Sequence, residues 1–256
     1  MSPPEPPGPF VTEAPLADVP AEAERVAAAA AAAGLALRLL GGAAVYLHSE
    51  SARLPALRRR YGDLDVAAPS RGRREVDRLF GSLGYRSDVR FNTLNGARRL
   101  RYLDAANARQ VDVFLDELRM CHVIDLRRRL DGDGPCLAPA DLLVTKLQIV
   151  EINRKDVVDV VALLLDHPVA GHDAEAIDAG YVSGLTADDW GLYRTLQLNL
   201  EKVRGALDGL DVDPTQVVRR LAQLWDAIEA QPKSLRWRVR ARVGDRLPWY
   251  EVPEEP

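Results

Sequence analysis

The segment "RYGDLDVAAP", residues 60–69, places Asp63 and Asp65 two apart in a run of strand-forming residues closed by Pro69. Strand side chains alternate between faces, so residues i and i+2 point the same way. Two like charges therefore share one face, and the strand must lie where a positive partner is within reach. A third acid stands in a similar setting: Asp112, in "VDVF", is flanked by apolar strand formers. If its strand lies beside the strand of Asp63 and Asp65, three carboxylates meet at one end of a sheet. Such a cluster is costly unless it coordinates a hard divalent cation. Mg²⁺, which takes oxygen ligands and leaves positions open for water and phosphate oxygens, fits the donor set.

The pattern around these acids is that of an α/β unit. "AEAERVAAAAAAAG" reads as a helix with early acids and Gly34 as its stop. "LALRLL" has strand length and runs into "GGAAVYLHSE", a Gly41-Gly42 turn opening a helix. "RGRREVDRLFGSLGY" carries Val76, Leu79, Phe80 and Leu83 at helical spacing. "ARRLRYLDA" and "RQVDVFLDE", separated by "ANA", alternate polar and apolar residues as a hairpin does. After the boundary "DGDGPCLAP" only helical patterns follow: "PADLLVTKLQIVEI", "RKDVVDVVALLLDH", "TADDWGLYRTLQLNLEKVRGAL", "DPTQVVRRLAQLWDAIEA" and "KSLRWRVRARVGDRL". The expected fold class is α/β (α+β), a small mixed sheet with flanking helices followed by a helical domain. The expected division is a disordered Pro-rich tail over residues 1–19, an α/β domain over 20–135 and a helical domain over 136–256.

Charge and composition narrow the partners. A net charge of -4 gives no overall attraction to nucleic acid or anionic membrane, although the 34 Lys and Arg cluster at 58–60, 98–101, 127–129 and 236–242. Cys121 and Cys136 lack zinc-ligand spacing and read as buried thiols in a reducing cytoplasm. The apolar stretch from Val26 to Leu47 is broken by Gly34, Arg38 and Gly41-Gly42, so no membrane span is expected. His48, His122, His167 and His172 form no metal or triad pattern, and "SLRWRVRARVGDRLPWYEV" reads as a closing amphipathic helix with buried aromatics or, as the second reading, an RNA-facing strip that stacks bases and contacts phosphates.

The order of motifs carries a resemblance. Strand, Gly41-Gly42, helix, strand with Asp63-x-Asp65, and later strand with Asp112 resemble the nucleotidyltransferase superfamily built on the DNA polymerase β-type core. "LLGGAAVYL", "RYGDLDVA" and "RQVDVF" look like its AbiEii-type and aminoglycoside or lincosamide branches, with Arg60 where many members carry an arginine before the acids. "LAPADLLVTKLQIVEINRKDVVDVVALL" is similar to an AbiEii-type block, matched here by Lys146, Arg154, Lys155, Asp156 and Asp159. The resemblance spans roughly residues 35–165.

It implies Mg²⁺-dependent transfer of a nucleoside monophosphate from a nucleoside triphosphate to an acceptor hydroxyl, with pyrophosphate leaving. Asp63, Asp65 and Asp112 would hold two metal ions, and Asp112 would also orient or deprotonate the hydroxyl. Gly41 and Gly42 would admit the triphosphate, Arg60 and Lys146 would offset its charge, and Asp156 would complete the nucleotide site. The acceptor is either the 3′ end of tRNA or a small hydroxylated, antibiotic-like molecule. The AbiEii-type likeness also raises a neutralising antitoxin as partner. The alternative is a catalytically inactive member of the same fold that binds nucleotide or protein.

Overall fold

A computed structural model of the protein describes residues 14–252. The tail expected over residues 1–19 lies mostly outside that range. Within it, the Pro15 and Leu16 carbonyls accept hydrogen bonds from Asn107 and Arg109. Helix α1, Val19–Ala32, is capped by Asp18 and buries Ala23, Val26, Ala27 and Ala30, the spacing of one helical face. Gly34, at φ 64°, ends it in the left-handed region that glycine enters without strain.

A five-stranded sheet forms the centre, in the order β1-β2-β5-β4-β3. Its strands are β1 (Arg38–Leu40), β2 (Leu64–Ala68), β3 (Arg86–Ser87), β4 (Arg99–Asp104) and β5 (Arg109–Leu115). β2 and β5 run parallel, and every other pair is antiparallel. This mixed pairing puts Asp65 directly opposite Asp112 and brings Leu40, the last residue of β1, opposite Asp65 as well. Helix α2, Gly41–His48, starts at once from that point. The expected hairpin is β4–β5, and the expected amphipathic helix is α3, Arg73–Ser82, with Val76, Leu79 and Phe80 buried.

Short elements escaped the sequence patterns. Helix α4, Val89–Asn95, and the hairpin of β6 (Glu117–Arg119) with β7 (Val123–Asp125) are each too brief to show a period.

The remainder is helical: α5 (Pro139–Leu147), α6 (Arg154–Asp166), α7 (Ala179–Asp188), α8 (Trp190–Ala206), α9 (Thr215–Ala230) and α10 (Leu235–Ala241). A minimal parallel pair, β8 (Val169–Ala170) with β9 (Ile177–Asp178), interrupts it. The run "TADDWGLYRTLQ" is divided rather than continuous, because Asp189 leaves α7 and caps α8 by accepting from Leu192 N–H. The expected closing helix is α10, but it buries none of its residues, and Trp237 is half-buried. Among the described residues no helix is long and apolar enough to cross a membrane.

The expected boundary near residue 135 falls where the chain runs along the sheet edge: the Leu39 N–H donates to Pro135 O, and the Leu39 carbonyl accepts from Leu137 N–H. One core runs through both halves, from Val19 to Ile228. Helix α2 packs on β2 and also on α5 and α6, so the chain before and after residue 135 meets beside the acids.

Candidate active site

The opening of the site is a backbone feature. Gly41 takes φ 69°, turning the chain out of β1 into α2 above Asp65. A Cβ at Gly41 would overlap Asp65 Oδ2 and lie 3.0 Å from its Cγ. Gly41→Ala is therefore expected to lower stability by about 1–2 kcal/mol through left-handed strain alone and to push the Asp65 carboxylate aside. Urea unfolding checks the first effect, and loss of divalent-cation binding checks the second.

A cleft of 420 Å³ lies beyond this turn, lined by Gly41, Asp63, Asp65, Asp112, Arg99 and Lys146. Leu118, Met120 and Ile149 give it an apolar wall. Asp63 is exposed, Asp65 half-buried and Asp112 buried. Burial, followed by the charges of Asp63 and Asp112, pushes Asp65 up to about 7, with Lys146 and Arg99 opposing. A carboxyl raised in the folded state holds a proton that the unfolded chain has lost, so the sign is fixed. Folding stability should fall as pH rises from about 4 to about 7 and level off above that. Denaturant titrations across this window check the slope, and Asp65→Asn should remove it.

Lys146 reaches the cleft from the last turn of α5. Its Nζ donates to Asp156 Oδ1 at 3.0 Å and lies 2.9 Å from Asp159 Oδ2. Burial works against its charge, but Asp159 and Asp156 outweigh it and hold the ammonium above its usual pKa. An ammonium has three N–H donors, so one remains after these two pairings. Asn153 caps α6 and fixes Asp156 in its first turn, with Asp159 one turn further. The end of α5 is held by Asn199 of α8, whose amide donates to Leu147 O and Ile149 O.

Other expected residues stand apart from the cleft lining. Arg60 is exposed, and Asp156 is buried behind Lys146. Gly42 faces the neighbouring Arg59, since a Cβ there would collide with the Arg59 guanidinium and come within 3.1 Å of Tyr61. Arg59 is the arginine that turns inward. Its Nε and Nη2 grip Asp159 at 2.8 and 2.7 Å, and its guanidinium lies 4.3 Å from the centre of the Tyr61 ring. Residues 59, 61, 63 and 65 share one parity, so alternation in an extended run could have selected Arg59 over Arg60.

Arg99 was also missed. Its Nη2 and Nε approach Asp112 Oδ2 and Oδ1 at 2.7 and 3.0 Å. Gln110 donates to Oδ2 at 2.6 Å, and Arg101 Nε lies 3.5 Å from Oδ1. The hairpin register pairs Arg101 with Asp112, a neighbour that a symmetric β4–β5 hairpin would have shown.

The donor chemistry of the carboxylates fits Mg²⁺: the donors are oxygens, and burial, followed by the charges of Asp63 and Asp112, makes the Asp65 carboxylate costly without a cation. Among the described residues no three His, Cys, Asp or Glu side chains form a ready-made metal centre. At Asp112 the carboxylate oxygens face Arg99, Arg101 and Gln110. A larger cavity of 1060 Å³, lined by Trp190, Trp237 and Trp249, contains none of the expected site residues.

No known family model matches the chain, and no curated protein matches it. Several solved structures do, among them the following three. The likeness is to nucleotidyltransferases. One is the lincosamide antibiotic adenylyltransferase LnuA, lincomycin-bound, at 13% identity and TM-score 0.40, covering 55% of this chain and 92% of that one. Another is the antibiotic-resistance factor ANT(2'')-Ia, at 14% identity and TM-score 0.40, covering 64% and 91%. The third is an antigenic nucleotidyltransferase-like protein from Paracoccidioides brasiliensis, at 15% identity and TM-score 0.42, covering 86% and 96%.

Proposed function

We propose that the protein is a Mg²⁺-dependent nucleotidyltransferase, with residues 20–135 as the catalytic domain and 136–256 as a helical domain closing the cleft. The observation that supports this most is the register of β2 against β5, which sets Asp65 beside Asp112, with Asp63 on the same cleft and Gly41 pressed against Asp65. Asp63 and Asp65 would hold the metal, with Asp112 completing the donor set. When bound, Mg²⁺ supplies charge that stabilises the phosphorus centre and the departing pyrophosphate.

The chain's own groups account for the rest. Gly41 leaves the triphosphate room beside the turn, and the third N–H of Lys146 offsets phosphate charge on the cleft wall it shares with Arg99. Asp156 and Asp159 keep that ammonium charged and aimed, and Arg59 holds Asp159. The acceptor hydroxyl attacks the α-phosphorus, the bond to the β-phosphate oxygen breaks, and Asp112 accepts or orients the hydroxyl proton. The acceptor is either the 3′ end of RNA or a small hydroxylated molecule of the aminoglycoside or lincosamide kind.

Paired labelling tests this. Label at the α-phosphate should pass to an acceptor in the presence of Mg²⁺, whereas label at the γ-phosphate should leave as pyrophosphate. Transfer to tRNA favours the first acceptor class, and transfer to an aminoglycoside or lincosamide favours the second. Mg²⁺-dependent transfer of γ-label to an acceptor would refute nucleotidyl transfer in favour of phosphoryl transfer.

A further inference from the structure

A carboxylate offers about four lone-pair sites, two on each oxygen. At Asp112 these sites are nearly filled. Oδ1 faces Arg99 Nε at 3.0 Å and Arg101 Nε at 3.5 Å, while Oδ2 faces Arg99 Nη2 at 2.7 Å and Gln110 Nε2 at 2.6 Å. A cation that takes Asp112 as a ligand must therefore displace one of these donors.

Arg99 is the donor free to leave. Arg101 is buried, with its guanidinium 4.0 Å from the centre of the Phe91 ring, and Gln110 is the next residue but one on the same strand as Asp112. The Arg99 side chain is 21% exposed and lines two cavities at once: the cleft of the acids and an adjoining one of 360 Å³ that also shares Phe114 and Met120. Its guanidinium already lies 5.0 Å from the Phe114 ring and 5.7 Å from the Phe91 ring, both of which line the adjoining cavity, so leaving Asp112 toward that side keeps it beside aromatic faces. A second observation points the same way. Arg101 Nη2 is buried with no hydrogen-bond partner. Rotation of the Asp112 carboxylate toward Arg101 would satisfy that nitrogen and free the edge that Arg99 grips.

We infer that Arg99 is an exchangeable counter-cation. It holds Asp112 in place of a divalent ion and yields that carboxylate to the ion, moving into the adjoining cavity. Arg99 is thus a positioning residue that sets the affinity of the site for its cation. This rests on the proposal that the acids bind a divalent ion, and the test separates the two.

Binding of Mn²⁺ alone, read from the electron paramagnetic resonance signal of the free ion, is measured for wild type, Asp63→Asn, Arg99→Gln and Arg99→Lys. Wild type should bind Mn²⁺ at a site that Asp63→Asn lacks. Arg99→Gln should bind roughly tenfold more tightly, the equivalent of one charge-assisted hydrogen bond released from competition. Arg99→Lys keeps the charge without the two-pronged grip, guards against a misfolded glutamine variant, and should fall between. Were Arg99 only structural, both variants would bind Mn²⁺ no better than wild type while Asp63→Asn had lost the site, and that result overturns the inference alone. Equal binding by wild type and Asp63→Asn would overturn the metal site itself, and the inference with it.

Discussion

Asp65→Asn is expected to abolish nucleotidyl transfer while raising the unfolding temperature. Loss of a carboxylate that holds a catalytic metal forfeits several kcal/mol of transition-state stabilisation, about 10³-fold or more in turnover. The amide nearly matches the carboxylate in shape, so the contact with Gly41 is kept. What disappears is one charge from a crowded set, since burial, Asp63 and Asp112 all press Asp65 toward its neutral form. Activity and stability should therefore move in opposite directions. Turnover with labelled nucleotide and thermal unfolding at about pH 7.5 check the pair, at a pH where the wild-type carboxyl is more than half ionised. If both fell together, Asp65 would be a structural residue.

Lys146→Met should be the most destabilising single change near the site. The ammonium sits between Asp156 and Asp159, which are 6% and 1% exposed. Removing it leaves two buried carboxylates with only Arg59 to balance them, and breaking a buried ion pair from one side costs about 3–5 kcal/mol. Denaturant unfolding should show a loss of that order. Lys146→Met combined with Asp156→Asn should recover part of it, because the Arg59–Asp159 pair then stands with its charges matched. Asp156 Oδ2 is buried without a hydrogen-bond partner, so the asparagine amide forfeits no contact at that oxygen. A double variant no more stable than the single one would show that Lys146 acts through packing rather than charge.

Features with a period were legible in the sequence. The Asp63-x-Asp65 pair, the β4–β5 hairpin, α3 and the amphipathic helices of the second half each repeat often enough to reveal a buried face. Gly41 was legible as a turn because a glycine pair stands between strand and helix; that the turn is left-handed, with φ 69°, is added by the structure. What stayed hidden depends on contacts distant in sequence. Arg59 meets Asp159 a hundred positions away, and nothing local distinguishes it from Arg58 or Arg60 except the parity of an extended run. Arg99 could be placed at Asp112 only once the hairpin register was fixed. The meeting of the β2 and β5 acids was expected from the order of the motifs, whereas the full strand order β1-β2-β5-β4-β3 depends on a crossover that no periodicity encodes.

The measurement that bears most directly on a metal-nucleotide site at the acids needs no acceptor. Thermal unfolding of wild type and Asp63→Asn is recorded with each of the four nucleoside triphosphates, with and without Mg²⁺. A ligand at about 100 times its dissociation constant stabilises the folded state by roughly 2.7 kcal/mol, enough to shift the midpoint by several degrees. The expected result is a shift with at least one nucleotide that requires Mg²⁺ and is lost in Asp63→Asn. A shift of equal size in both proteins, or none with any nucleotide, would contradict a metal-nucleotide site at these carboxylates.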